Sequence, residues 1–121
     1  MKWNTSFSAS VKPSKQRKYV RNAPLHVRNT FLGSHLSKDL RQKLKMRAIR
    51  VRKGDKVKVL RGQHKGKTGT VEKVDTERMK VFITGIEFTK KDGSKSIYPV
   101  HPSKIMVQEL HADKRRLGEQ K

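Results

Sequence analysis

The residues with the most obvious chemical potential lie in one short stretch, Gly62-Gln63-His64-Lys65-Gly66-Lys67-Thr68. Glycines beside lysines and a hydroxyl are the ingredients of a loop that wraps a phosphate. A nucleotide hydrolase, however, needs four residues between its glycines and a helix opening at the Lys-Thr pair, so that amides and helix dipole converge on the triphosphate. Here three residues intervene, and Gly69-Thr70-Val71 continues as a strand. The segment therefore reads as a glycine-bearing turn between strands. The other reactive side chains are dispersed. His26, His35, His64, His101 and His111 show no ligand spacing with carboxylates. Glu72 with Asp75 or Glu77 reads as solvated countercharge beside lysines, and nothing positions a nucleophile. The expectation is no catalytic residue, no metal, no cofactor and no enzymatic activity.

Charge is the dominant signal. The 121 residues carry 31 Lys and Arg against 10 Asp and Glu, a formal net charge of +21. So much self-repulsion in so small a chain calls for a polyanionic partner, with nucleic acid the first candidate. Residues 1–54 hold all but seven of the net charges, since Asp39 is their one acid. Cysteine is absent, which excludes disulfides and thiolate ligands. The opening residues lack the apolar stretch of a secretory signal. The longest apolar runs, Val81-Phe82-Ile83 and Ile105-Met106-Val107, are too short to cross a bilayer. A soluble protein without membrane insertion and without homo-oligomerisation is expected.

With 32% hydrophobic residues, apolar burial must be concentrated in one segment. Residues 1–35 contain no acid and no sustained periodicity, and read as a basic extended arm without a core of its own. Trp3, Phe7, Tyr19 and Phe31 within it are either incidental or available for stacking on bases. Residues 36–46 read as a short helix: Ser37 can cap it, Asp39 suits its positive end, and Leu36, Leu40 and Leu44 form one apolar stripe. Residues 47–110 switch to strand patterning. Five short strands are expected, at Asp55-Lys-Val-Lys-Val-Leu60, from Lys67 to Val74, from Met79 to Thr84 with Ile86-Glu-Phe88 as an extension, at Ser96-Ile-Tyr-Pro-Val100, and at Ile105-Met-Val-Gln-Glu-Leu110. Gly69 suggests a bulge or bend. Val57, Val59, Val71, Val74, Val81, Ile83, Ile105 and Val107 are the expected core. The fold class is mainly β, a small antiparallel barrel preceded by one short helix and a long basic extension. Residues 111–121 form a polar tail with the triplet Lys114-Arg115-Arg116.

Asp55, Val57, Val59, Gly62, Lys65-Gly66, Gly69 and Val71 together resemble the KOW motif, in which two strands flank a glycine-containing turn. That resemblance implies an SH3-like barrel whose loops bind RNA or protein, with Gly66 as the characteristic glycine. Arg17-Lys-Tyr19, Ala23-Pro-Leu-His-Val-Arg28, Leu36-Ser-Lys-Asp-Leu-Arg41, Arg50-Val-Arg-Lys-Gly-Asp55 and His101-Pro-Ser-Lys104 follow in order. With them the chain, from about Lys15 to Arg116, is similar to the archaeal and eukaryotic form of the universal large-subunit ribosomal protein twenty-four family. The resemblance implies binding to large-subunit rRNA and an early role in subunit assembly. It also implies a location beside the polypeptide exit, next to other ribosomal proteins and within reach of nascent-chain or export factors, in the cytoplasmic ribosome. The alternative is a KOW-type transcription elongation factor, but such factors carry an α/β domain for which residues 1–35 are too polar.

The expected RNA-binding residues fall into four groups. The arm supplies Lys15, Arg17, Lys18, Arg21, His26 and Arg28. The bridge between helix and barrel supplies Arg47, Arg50, Arg52 and Lys53, whose guanidinium forks suit phosphates and stacked bases. The glycine turn supplies Arg61, His64, Lys65, Gly66 and Lys67. Lys104 and the tail's Arg115 and Arg116 complete the set.

Overall fold

In the computed structural model, which describes residues 3–113 and 115, the elements follow in a simple order. They are α1 (Pro13–Asn22), α2 (Leu25–Arg28), β1 (Gly33–Leu36), α3 (Lys38–Leu44), β2 (Ala48–Arg50), β3 (Lys56–Val59), β4 (Thr68–Asp75), β5 (Lys80–Thr89), β6 (Lys95–Val100) and β7 (Ile105–Glu109). Short 3-10 turns lie at Thr5–Phe7, Asn29–Leu32 and Pro102–Lys104.

Apolar residues spaced two apart place one face of each long strand inward. Val57 and Val59 of β3, Val81 and Ile83 of β5, and Ile105 and Val107 of β7 are all buried. Val71 joins them, and Val74 packs against the cluster while partly buried. The sheet runs β2-β1-β7-β3-β4-β5-β6. Ile49 from one end strand and Val100 from the other contribute to the same core. A sheet whose two ends feed one core must curl, which is consistent with a small β barrel. Each fully buried Val, Leu or Ile contributes roughly 1.5–3 kcal/mol.

The five expected strands are present as β3 to β7. The architecture also departs from expectation in three ways. The described residues form seven strands rather than about five, because β1 and β2 pair with each other through Gly33↔Arg50 to His35↔Ala48. The sheet is not wholly antiparallel, since β1 runs parallel to β7. Two further helices, α1 and α2, occupy the segment expected as an extended arm. Pro13 starts α1, and Gln16 Nε2 donates to the carbonyls of Ser8 (3.0 Å) and Ser10 (2.8 Å). Trp3 Nε1 donates to Tyr19 O at 3.1 Å while the two rings lie 5.0 Å apart. Polar groups thus hold α1, and an apolar period is not needed. The expected helix is present as α3, with Ser37 Oγ accepting from Leu40 N. Leu40 and Leu44 pack on the core, where Leu36 arrives from β1.

Gly69 has a different purpose from the expected bend. It pairs with Val57, and a Cβ there would collide with the Thr84 carbonyl oxygen and lie 2.7 Å from Ile83 Cγ2. Glycine permits the close approach of β4 to β5. The register irregularity comes later, between Val71 and Lys73.

One polar device joins distant pieces of chain and a second closes a local turn. Asp55 is fully buried: its Oδ2 accepts from Arg52 N at 3.0 Å and its Oδ1 from His111 N at 2.9 Å. The entry to β3 is thereby tied to the segment after β7. His101 caps the turn at Pro102–Lys104, its Nδ1 accepting from Ser103 N at 3.2 Å with Ser103 Oγ 2.8 Å away. Burial, and then the neighbouring ammonium groups of Lys80 and Lys104, hold the His101 pKa below the ordinary imidazole value.

Replacing Asp55 by Ala leaves two amide donors without their carboxylate and is expected to cost about 2–4 kcal/mol. A urea titration checks this, and a change under about 0.5 kcal/mol would contradict it. For His101 the native pKa is the lower one, so the unfolded chain binds more protons as pH falls through about 6.5. Its contribution is complete above that pH and is lost as the solution is acidified toward the folded pKa. Urea midpoints measured from neutral pH to pH about 5 should therefore fall more steeply for the parent than for His101→Asn, which keeps an acceptor but does not titrate. Parallel profiles would exclude the effect.

Candidate nucleic-acid interface

The turn from β3 to β4 is closed by backbone pairing, with Gly66 N donating to Val59 O at 2.8 Å and Val59 N to Lys67 O at 2.9 Å. Gly62 and Gly66 both have left-handed backbones, at φ +96° and +88°. A side chain at either would strain the turn. The hairpin leaves Arg61, Lys65 and Lys67 exposed. Arg61 Nη2 donates to Ser103 O at 2.9 Å and Leu60 N to Lys104 O at 2.7 Å, so Lys104, distant in sequence, joins the same end of the sheet. His64 does not share that exposure. Only 8% of it is accessible; its ring packs 5.2 Å from that of Tyr98, and Lys67 Nζ lies 3.3 Å from its Nδ1. Of the turn's expected RNA-binding residues, His64 alone is covered, by Tyr98 from β6.

A second cationic surface follows β2, which ends the sheet and pairs with β1 alone among the described strands. Arg47, Arg50, Arg52 and Lys53 are exposed along it. A groove of about 670 Å³ is lined by Asn29, Met46, Ala48, Ile49, Arg50, Val51, Arg52 and Arg115. A neighbouring groove of about 420 Å³ shares Asn29, Val51 and Arg52 and extends past Lys53 and Lys73. Arg52 is ion-paired with Asp113, and Asp113 Oδ1 also accepts from Arg115 N at 3.0 Å. Bridge and tail are thus brought together, with Arg115 lining the same groove as Arg50 and Arg52. Arg116 lies outside the described residues, as does Lys114.

In the N-terminal third, α1 exposes Lys15, Arg17, Lys18 and Arg21, and α2 exposes His26. Lys15 Nζ sits 5.2 Å from the centre of the Phe7 ring. Arg28 is engaged within the protein: Nη1 donates to Glu77 O at 2.8 Å, and the same guanidinium reaches the Arg21 carbonyl. It clamps α2 against the β4–β5 turn and offers less to a ligand than an exposed arginine would. Lys73, absent from the expected set, lines the second groove and lies 5.7 Å from the Phe82 ring centre. In sequence it is indistinguishable from any lysine on the outer face of a strand.

What these surfaces share is exposed positive charge held in place by the fold. Among the described residues no group of three or more His, Cys, Asp or Glu is disposed to hold a metal, and no helix is long and apolar enough to cross a membrane.

The family model described as "Ribosomal proteins L26 eukaryotic, L24P archaeal" matches residues 10–119. The chain is also 43% identical over 115 residues to the large ribosomal subunit protein uL24 of Korarchaeum cryptofilum (strain OPF8), covering 93% of this chain and 88% of that one. These matches favour the ribosomal reading over the elongation-factor alternative. A chain matched from residue 10 to residue 119 by that model, and alike over nearly its full length to such a relative, belongs to the L26/L24P family of ribosomal proteins.

Proposed function

We propose that this protein docks on folded large-subunit rRNA through the groove along β2 and the turn between β3 and β4, and stabilises the RNA fold there. As a family member it is a structural protein of the large subunit of the cytoplasmic ribosome, with RNA and other ribosomal proteins as its partners, and the family is not one of enzymes. The observation that carries the finer reading is the continuous path of Arg50, Arg52 and Arg115 in one groove and Lys53 and Lys73 in the next. Guanidinium forks can bind phosphates bidentately. A net charge of +21 supplies a driving force of the right sign, because each neutralised phosphate releases condensed counterion.

We read the curled sheet as the SH3-like barrel of the KOW family, with Gly66 at the turn position that demands a left-handed backbone. The exposed cations of α1 supply a further RNA contact at the N-terminal end. Early entry into subunit assembly and a position beside the polypeptide exit, within reach of nascent-chain or export factors, complete the proposal and rest on the resemblance alone.

Converting Arg47, Arg50 and Arg52 together to Ala is expected to weaken binding to large-subunit rRNA. The slope of log affinity against log salt should become shallower by about 2–3, close to one per lost phosphate contact. Titrations at several ionic strengths measure it, with circular dichroism to show that the variant is folded. An unchanged slope would remove this surface from the interface.

A further inference from the structure

The two strands β5 and β6 carry a feature that the phosphate-binding surfaces do not use. Phe88 and Tyr98 are 44% and 37% exposed, with their rings edge to face and centroids 6.2 Å apart. Adjacent exposed aromatic rings are costly in water and mark a binding surface more often than a structural need. Tyr98 in turn contacts His64, so three rings run from the glycine turn up the hairpin.

The support beneath them is stiff. The register of β5 on β6 shifts between Phe82 and Glu87, where Gly85 takes φ +86°. Beyond that bulge Phe88 pairs with Ser96 and Thr89 with Lys95. The tip is closed by Lys90 N donating to Ser94 O at 2.8 Å, and Asp92 Oδ1 accepts from Ser94 N at 2.9 Å.

His64, at the foot of these rings, carries a buried polar atom of its own. Lys67 Nζ, 3.3 Å from His64 Nδ1, is an ammonium with donors only, so Nδ1 accepts and the proton of a neutral ring resides on Nε2. That Nε2 is buried and has no hydrogen-bond partner among the described residues. A buried donor of this kind is ordinarily satisfied by an ordered water, and the crevice beside it has room for about one. His64 lines a small crevice together with Arg61, Gln63, Tyr98 and Lys104.

We propose that this end of the sheet captures one unpaired RNA nucleotide. Its base stacks on the face of one ring of the perpendicular Phe88–Tyr98 pair and against the edge of the other, and its phosphate or ribose oxygens meet Arg61 and Lys104. The proposal rests on the RNA-docking reading and adds to it the class of RNA recognised. A paired base offers no free face, whereas an unpaired one can be laid on an aromatic ring. Exposed lysines, Lys90, Lys91 and Lys95 at the tip and Lys65 and Lys67 at the turn, outnumber the exposed acids Glu87 and Asp92 and favour a polyanion over an apolar protein surface.

The test compares a fluorescent single-stranded oligouridylate with an RNA duplex of equal phosphate number at one ionic strength. Replacing both rings (Phe88→Leu with Tyr98→Leu) is expected to weaken binding of the single strand about tenfold or more and of the duplex by less than about twofold. Exchanging them (Phe88→Tyr with Tyr98→Phe) keeps both ring faces and should leave both affinities at the parent value. Single-strand affinity unchanged in the leucine variant overturns the proposal, as does equal loss on both RNAs or loss in the exchanged variant. A parent protein that binds neither RNA instead overturns the docking reading beneath it.

Discussion

Repulsion among like charges is the constraint around which this protein is organised. Its 31 basic side chains cannot be brought together by attraction within the chain, since only 10 acids are available. They must be carried by a scaffold held together on other grounds. Apolar burial is that ground: the cluster from Leu36 to Val107 draws on all seven strands and contains no charged side chain. Cations then occupy the outward positions of the strands, the turns and the N-terminal helices, where solvent screens them. The state that relieves the repulsion best is one in which RNA phosphates stand opposite.

Acids are spent where they fasten the chain. Asp55, fully buried, joins the start of β3 to the residues beyond β7. Asp113 gathers Arg52 and Arg115 at the mouth of one groove, and Asp92 shapes the tip of the β5–β6 hairpin. Asp113 fixes the place of cations directly, whereas Asp55 and Asp92 fix the backbone around them. The same economy appears in the glycines: Gly66 supplies a left-handed turn beside Lys65 and Lys67, and Gly69 lets β4 lie close on β5. Local chemistry at a handful of positions thus determines which charges face which groove.

The parts of this arrangement that could be read from residue order are those governed by local pattern. Strands β3 to β7 follow from β-branched residues two apart, and α3 from Ser37 and the leucine spacing. Strands β1 and β2 could not be read that way. They are three or four residues long, and they exist because of distant partners, such as Met106 opposite His35 and the Pro102 carbonyl that receives the Ser34 hydroxyl at 2.7 Å. Helix α1 escaped notice because its inward residues, Gln16 and Tyr19, are polar or amphipathic and find partners across a turn. The cationic surfaces were foreseeable as composition, and Arg47, Arg50 and Arg52 are exposed between α3 and β3. The burial of His64 beneath Tyr98 and the use of Arg28 as an internal clamp depend on tertiary contacts that no local spacing encodes.

The most direct measurement of the central claim is a chemical footprint of the purified protein on naked large-subunit rRNA. If positioned cations on a rigid scaffold recognise a folded site, protection will be confined to one contiguous structural region of the RNA and will persist as competitor RNA is added. Protection scattered along the molecule in proportion to protein concentration, or erased by any polyanion, would show that the charge acts without the scaffold and would contradict the account.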